Sequence, residues 1–333
     1  MGIMNEKLWE ILESKAKAED DGCPKDQQIN KKYMAGIESI CELAVERANT
    51  IRDTFPMYTK HDETHICNVM RLMMSLIGDR IDDLTRDEVA MLILSACCHD
   101  IGMSYSGDDK SKLLADLDRL NQYLDKHHSE YVKAYAGGGD IPVMTDDMMQ
   151  NYLRSIHHKR IMDLLGNFEW PNILNGKVNR EDVIRVCQSH GEDVSSLDDL
   201  EPTHSIDLRL CAVLLRLADI LDFDTTRAPH ALYDYCGFDN ENSSSALKSK
   251  EEWDKHLSSN GFNFVHIADK TSPYPLPYTA NSKTMQIEQA INIYLDWVDQ
   301  ELDNCRKITR RFTEKWKNIV LPEKVSRKIT SEG

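Results

Sequence analysis

The 333-residue sequence has no excess of basic residues. Its 40 lysines and arginines stand against 56 aspartates and glutamates, which gives a formal net charge of −16. Non-specific binding to DNA or RNA depends on the neutralisation of phosphates by Lys and Arg. The sequence therefore argues against duplex nucleic acid as a partner, whereas a small nucleotide in a local pocket stays compatible with it.

The sequence also lacks an apolar run long enough to span a bilayer, an apolar secretory segment at its start and any internal repeat. Its nine cysteines are an odd number, and only Cys97 and Cys98 stand close together. We therefore expect no membrane association, reduced thiols that act mostly as small buried apolar groups, and a cytoplasmic protein.

What the sequence has is a large apolar fraction, 41%, with helical periodicity along most of its length. It is long enough for one large helical domain or two smaller ones. Gly137, Gly138 and Gly139 interrupt the pattern. The predicted helices lie at about 37–55, where Pro56 ends the first, and at 61–77, 87–98, 112–134, 146–165, 180–189, 206–223 and 287–316.

Strand signals are few. Residues 261–267 alternate with period two, and the prolines in 272–277 exclude a helix interior there. The segment 233–250 is polar and predicts irregular structure. We expect an all-α fold with one or two strands in a small insertion and a long C-terminal helix.

The most informative residues are His99 and Asp100, which end the apolar stretch 89–98. Burial of an imidazole beside a carboxylate costs several kcal/mol unless a partner such as a metal ion compensates for it. Spacing places His65 on the core-facing stripe of its helix. Asp219 lies within another apolar helix, where a carboxylate needs a cation.

These residues, in this order, resemble the ligand set H…HD…D of the HD-domain metal-dependent phosphohydrolases. The stretches HDETHICNVMRL, LSACCHDIGMS and LLRLADILDFDTTRAP resemble that family's three ligand helices, so the resemblance extends from Tyr58 to Pro229, about half the chain. It implies an HD-domain helical bundle at 58–230, preceded by a helical extension at 1–57 and followed by an accessory region at 231–333.

Two further stretches, YLRSIHHKRIMDLL and VIRVCQSHGED, resemble the extra histidine segments of HD proteins that have a two-metal site. They also resemble HD domains attached to histidine-kinase-like or Hsp90-like ATPases, so the chain is a stand-alone relative or a fragment of something longer. In the family pattern the ligand follows an Arg by three residues, which selects His157 over His158. The implied metal ligands are His65, His99, Asp100, His157, His190 and Asp219.

Imidazole and carboxylate ligands suit one or two divalent ions, Mn, Fe, Mg, Co, Ni or Zn, and Asp100 can bridge two of them. A metal pair activates water for attack at phosphorus. We expect His99 and Asp100 to act in catalysis, with Lys60 and Arg227 as phosphate contacts. An Arg beside Asp222 or Asp224 also fits a plain ion pair.

Two functional hypotheses follow. The first is a phosphohydrolase that cleaves a nucleotide-type phosphoester with a metal-activated water, as a deoxynucleotide triphosphohydrolase or a nucleotide phosphodiesterase; a single-strand nuclease is not excluded. The second is a nucleotide-sensing regulatory HD module that controls a partner such as an ATPase. Homo-oligomerisation is expected through the C-terminal helix, whose apolar stripe alternatively packs on its own domain.

Overall fold

Helices form most of the computed structural model, which describes residues 2–20, 22, 24–238, 244–264, 272–311 and 319–331. The all-α expectation is confirmed. The α-helices are α1 (Lys7–Ala18), α2 (Pro24–Asn49), α3 (Ile51–Thr54), α4 (Glu63–Ile77), α5 (Arg86–Cys98), α6 (Gly107–Ala115), α7 (Leu117–Lys126), α8 (His128–Ala134), α9 (Asp146–Gly166), α10 (Arg180–Ser189), α11 (Leu208–Leu221), α12 (His230–Cys236), α13 (Ser244–Ser258) and α14 (Met285–Arg311). Short 3-10 helices lie at Gly2–Asn5, Gly78–Asp83, Ile101–Met103, Asn172–Leu174, Val194–Asp199 and Thr225–Arg227.

Helix α5 is the centre of the bundle. Thr85 and Glu88 form a capping box that fixes its start, and every residue of the helix is buried. Helices α1, α2, α4, α10 and α11 all contact it. An apolar helix surrounded in this way carries its C-terminal residues, His99 and Asp100, into the interior.

The predicted single helix at 112–134 is wrong, because the structure has three short helices, α6, α7 and α8, in this region. Asp116 ends α6, and its side chain accepts a hydrogen bond of 3.2 Å from the backbone N–H of Arg119. An Asp that bonds its own backbone in this way favours a helix start over a helix interior. His127 separates α7 from α8.

The small sheet has three strands, β1 (Ser259–Phe262), β2 (Pro275–Ser282) and β3 (Lys324–Ser331), in the order β1-β2-β3. β1 is antiparallel to β2, and β3 is parallel to β2. The prediction of at most two strands is therefore wrong. Prolines usually exclude a strand or mark a sheet edge, so the sequence did not indicate β2. The pairing of β2 with β3 joins segments that are distant in sequence, so local patterns did not indicate β3. Residues 265–267 of the predicted strand lie outside the described residues.

The prediction of irregular structure at 233–250 is also wrong, because α12 and α13 occupy much of it and only 239–243 lie outside the description. Trp253 anchors α13: its side chain is buried and its indole donates to the carbonyl of Met57 at 2.9 Å. This buried tryptophan gives α13 an inward face that the polar composition of the segment obscures.

Helix α14 packs on the protein's own core. Ile291, Leu295, Val298 and Leu302 are fully buried, and Glu301 accepts a 2.6 Å hydrogen bond from Arg216 of α11. Ile291, Val298 and Leu302 of the predicted apolar stripe thus pack within the domain, whereas Ile293 and Trp297 are exposed. Self-association stays a prediction. Residues 312–316 of the predicted helix lie outside the described range.

One apolar cluster joins residues of all three predicted segments, for example Leu12, Leu92 and Leu295. The boundaries at 57 and 230 stay predictions. The cysteines in the described part of the chain are free thiols. Within that part no single helix has the length and apolarity to cross a membrane; one pair, Arg86–Met103 with Gly107–Ala115, meets those criteria together but bends by 72°.

Candidate metal centre

Four side chains from three helical regions converge behind the end of α5. The Nε2 atoms of His65 and His99 are 3.1 Å apart. Oδ2 of Asp100 lies 3.4 Å and 3.3 Å from these two nitrogens. Oδ1 of Asp219 lies 3.3 Å and 3.6 Å from them. Ligand atoms about 2.1 Å from one tetrahedral ion are about 3.4 Å apart, so this first cluster has the spacing of a metal site.

A second cluster lies on the other side of Asp100. The Nε2 atoms of His157, on α9, and His190, at the end of α10, are 2.9 Å apart. They lie 3.7 Å and 3.8 Å from Oδ1 of Asp100. Asp100 thus offers one oxygen to each cluster, which is the position of a bridging carboxylate between two ions.

Hydrogen bonds fix the ring orientation of all four histidines. The Nδ1 of His99 donates to the carbonyl of Ala96 at 2.9 Å and that of His157 to the carbonyl of Arg154 at 2.7 Å. His190 donates from Nδ1 to the carbonyl of Cys187. His65 donates from Nδ1 to Asp222 Oδ2 at 2.6 Å. In neutral rings with this tautomer, each Nε2 presents a lone pair to the cluster.

The two Nε2···Nε2 contacts are the evidence that a metal fits. In neutral rings two lone pairs would face each other at 3.1 Å or 2.9 Å and repel, and a shared proton or a metal ion between them removes the repulsion. Metal-bound histidines have the same arrangement, in which the other ring nitrogen donates to a carbonyl or a carboxylate. The donor set of imidazoles and carboxylates suits divalent transition ions.

The electrostatics of the first cluster also favour a cation. Burial lowers the pKa of His65, as does the charge of Arg227, but hydrogen bonds to three aspartates outweigh both and raise this pKa to about 9. Burial likewise opposes the rise in the pKa of His99, which Asp100 and Asp219 hold well above its usual range. The pKa values of both carboxyls are well below normal despite their burial, because the two histidines stabilise the charged forms. The cluster thus draws positive charge, as protons or as metal.

His190 differs from these rings. Burial and the charges of the neighbouring His157 and His99 together lower its pKa to about 3. It is therefore a neutral imidazole at physiological pH, which is the form that binds metals.

Asp222 supports His65 from behind, a role that the sequence did not reveal. Its Oδ2 accepts from His65, its Oδ1 accepts from Asn68 Nδ2 at 2.9 Å, and Arg227 Nη1 lies 3.3 Å from Oδ2. The side chain is buried. One feature of the sequence could have indicated this role: Asp222 is a second carboxylate at the end of the apolar helix that carries Asp219. From the sequence, Asp222 was interpreted only as an ion-pair partner of an Arg.

The two predicted phosphate contacts lie in different environments. Arg227 lines the cavity of the metal centre but is buried, and its Nη2 donates to His61 Nε2 at 3.0 Å. Lys60 Nζ lies 3.6 Å from Asp62 Oδ2 and donates to Thr64 Oγ1 at 3.3 Å. It lines a neighbouring pocket of about 350 Å³ instead. The geometry thus offers Lys60 no contact with the metal centre.

Two glycines permit the close packing of the second cluster. A Cβ on Gly102 would lie 2.0 Å from the carbonyl oxygen of His157, and one on Gly191 would lie 2.7 Å from the ring of His158. His158 is buried against Gly191, and its pKa falls to about 4 through burial and the neighbouring His157. His157 and His158 therefore separate into a cluster member and a packing residue.

Both clusters open onto a cavity of about 460 Å³, within the usual range for small-molecule sites. Asp100, His157, His190 and Asp219 line its floor, and residues of α9, α13 and α14 line its walls. A small ligand that enters this cavity meets Asp100, Asp219 of the first cluster, and His157 and His190 of the second.

The helical bundle brings together histidines and aspartates that could hold divalent metal ions, as in an HD-type domain. The HD-CE family model matches residues 55–304, more than half of the chain, and the protein belongs to the HD-CE family. The match extends past residue 230, where the sequence predicted the end of the HD domain. No curated protein and no solved structure matches the chain.

Proposed function

We propose that the protein is a metal-dependent phosphohydrolase that hydrolyses a phosphoester of a nucleotide. The observation that carries the proposal is the position of Asp100, whose two oxygens face two separate histidine clusters at the floor of one cavity. One or two divalent ions (Mn, Fe, Mg, Co, Ni or Zn) would supply an activated water and charge neutralisation at the phosphate there.

The chain's own residues hold and orient this centre. His65, His99 and Asp219 would bind one ion, His157 and His190 the second, and Asp100 both. The hydrogen bonds that the Nδ1 atoms donate fix the rings, so little reorganisation is needed when a substrate binds. Burial of His65 and His99 keeps bulk water from the back of the centre.

A nucleotide suits the cavity better than a duplex. The volume of about 460 Å³ is that of a small-molecule site, and the net charge of −16 disfavours a nucleic-acid coat. Deoxynucleotide triphosphohydrolase and nucleotide phosphodiesterase activities both fit this geometry, and a single-strand nuclease is a further alternative. An ATPase-type partner stays a prediction.

The test is hydrolysis of deoxynucleotides, ribonucleotides and cyclic dinucleotides by the full chain in Mn²⁺, Mg²⁺ and Co²⁺. Asp100→Asn should reduce turnover at least about 100-fold because both ions lose a ligand. Asp108→Asn, which changes an exposed carboxylate nearby, should retain full activity. Equal turnover by the wild type and the Asp100 variant would contradict the proposal. Nucleotide binding without turnover of any substrate would favour the regulatory module.

A further inference from the structure

Among the described residues, four lysine and arginine side chains line the cavity, and two of them are already engaged. Arg216 donates to Glu301 at 2.6 Å and to the carbonyls of Ser189 and Glu192 at 2.9 Å and 2.6 Å. Arg227 is engaged with Asp222 and His61. The third and fourth are Arg154 and Lys248, both exposed. Arg154 and Lys248 are therefore the cations available to a bound phosphate, and the two buried arginines are not.

Arg154 is the cation best placed for a ligand of the metal centre. It lies on α9 one turn before His157, whose Nδ1 donates to the Arg154 carbonyl. Its guanidinium lies 5.5 Å above the ring of Tyr58, another residue of the cavity wall. Among the described residues, no carboxylate forms an ion pair with Arg154. Its N–H groups are thus free to bind an anion, and the aromatic contact holds the side chain in place.

Trp297 of α14 lies at the rim of the same cavity. It is 43% exposed, although a large aromatic side chain gains by burial. It packs edge-on against Tyr294, with ring centroids 5.5 Å apart. Tyr294 in turn donates from Oη to the carbonyl of Ile220 at 2.5 Å, and Ile220 adjoins Asp219. One aromatic side chain therefore separates the exposed indole from the metal-ligand helix.

We propose that Trp297 and Arg154 determine specificity in this cavity: the indole stacks on the base of a nucleotide, and the guanidinium binds an oxygen of the phosphate that lies at the metal centre. The inference rests on the proposed function and adds the residues that recognise the substrate. Stacking on an indole accepts every base, because each base has a π-face. The site then selects nucleotides over simple phosphates without strong preference among bases.

The position of Trp297 distinguishes a nucleotide from a second copy of the chain as its occupant. Met285 and Ile293 are 80% and 63% exposed on the same helix, but neither lines the metal cavity. Of these three residues only Trp297 lines the metal cavity. It packs there against Tyr294, whose hydroxyl donates to a carbonyl of the metal-ligand helix α11. A base that stacks there belongs to a ligand whose other end reaches the metal centre.

The test compares AMP with ribose 5-phosphate, which is AMP without its base, and uses dTMP as a second nucleotide, by calorimetric titration of the full chain loaded with Mn²⁺. Chromatography afterwards checks that each probe is intact. Trp297→Ala should weaken binding of both nucleotides by about 5- to 100-fold and leave ribose 5-phosphate within about twofold. Trp297→Phe should retain most of the affinity. Arg154→Gln should weaken all three probes alike, by about 10-fold or more.

Matched controls are Ile293→Ala, an exposed apolar residue of α14, and Lys159→Gln, an exposed cation of α9; neither should alter binding. Equal affinity of the wild type for AMP and ribose 5-phosphate would overturn the inference, as would unchanged nucleotide binding in Trp297→Ala or no binding of any nucleotide. If binding depends on the base and Trp297→Ala abolishes that dependence, but no substrate is hydrolysed, this inference is supported and the phosphohydrolase activity is refuted. If a substrate is hydrolysed but binding does not depend on the base, the phosphohydrolase activity is supported and this inference is refuted.

Discussion

His65 and Asp222 form a buried hydrogen bond of 2.6 Å from Nδ1 to Oδ2, on the side of the imidazole that faces away from the metal centre. The carboxylate orients the ring and raises its basicity. Asp222→Asn should therefore lower the affinity for the metal at the first cluster by about 10- to 100-fold. Competition with a chelator of known affinity measures this. Asp234→Asn, an exposed carboxylate on α12, is the control, and equal affinities in the two variants would refute the role of Asp222.

The two clusters should lose metal separately. His157→Ala removes a ligand of the second cluster only, so metal content measured by mass spectrometry should fall from about two ions per chain to about one. His128→Ala changes an exposed histidine outside both clusters and should leave the content unchanged. Retention of two ions in His157→Ala would show that the second cluster is not a metal site.

Gly102→Ala should disrupt the second cluster through the backbone. The new Cβ would lie 2.0 Å from the carbonyl oxygen of His157, so α9 has to move away. We expect a loss of about 3 kcal/mol in the free energy of unfolding, measured by urea denaturation, together with loss of the second metal ion. The control is Gly107→Ala, where a Cβ meets nothing within 4 Å. An unperturbed Gly102 variant would contradict the described packing.

His256 should make the protein less stable as the pH falls. Burial lowers its pKa from 6.5 to about 3, and the charge of Arg227 contributes. Below pH 6.5 the unfolded chain therefore binds a proton that the folded chain does not, and stability falls until the pH reaches about 3. The contribution is up to about 1.4 kcal/mol per pH unit. Urea denaturation between pH 7 and pH 4 should show that the free energy of unfolding of the wild type falls relative to that of His256→Gln as the pH decreases. A difference between the two proteins that does not change with pH would contradict this.

The structure brings the predicted ligand residues together in two clusters, whereas several predicted elements around them differ from the observed ones. His99, Asp100 and Asp219 are polar residues in apolar helices, so their cost of burial already required a partner. The choice of His157 over His158 came from family resemblance, because periodicity does not separate adjacent histidines. Asp222 supports His65 through a contact between distant segments, which a single sequence does not display.

The errors in the fold have two origins, one local and one tertiary. Helices α6 to α8 have a common helical periodicity, but the local hydrogen bond of Asp116 separates α6 from α7, and His127 separates α7 from α8. Strand β2 contains Pro275 and Pro277 and is stabilised by β3, which begins at Lys324. Such pairing depends on tertiary contacts that local propensity does not encode.

The central claim is that Asp100 bridges two metal ions, and anomalous diffraction from crystals of the Mn²⁺-loaded protein tests it most directly. The account predicts two anomalous peaks about 3.5 to 4 Å apart, one beside His65 and His99 and the other beside His157 and His190, with the Asp100 carboxylate between them. Peaks elsewhere, or none at these histidines in protein that retains its fold, would contradict it.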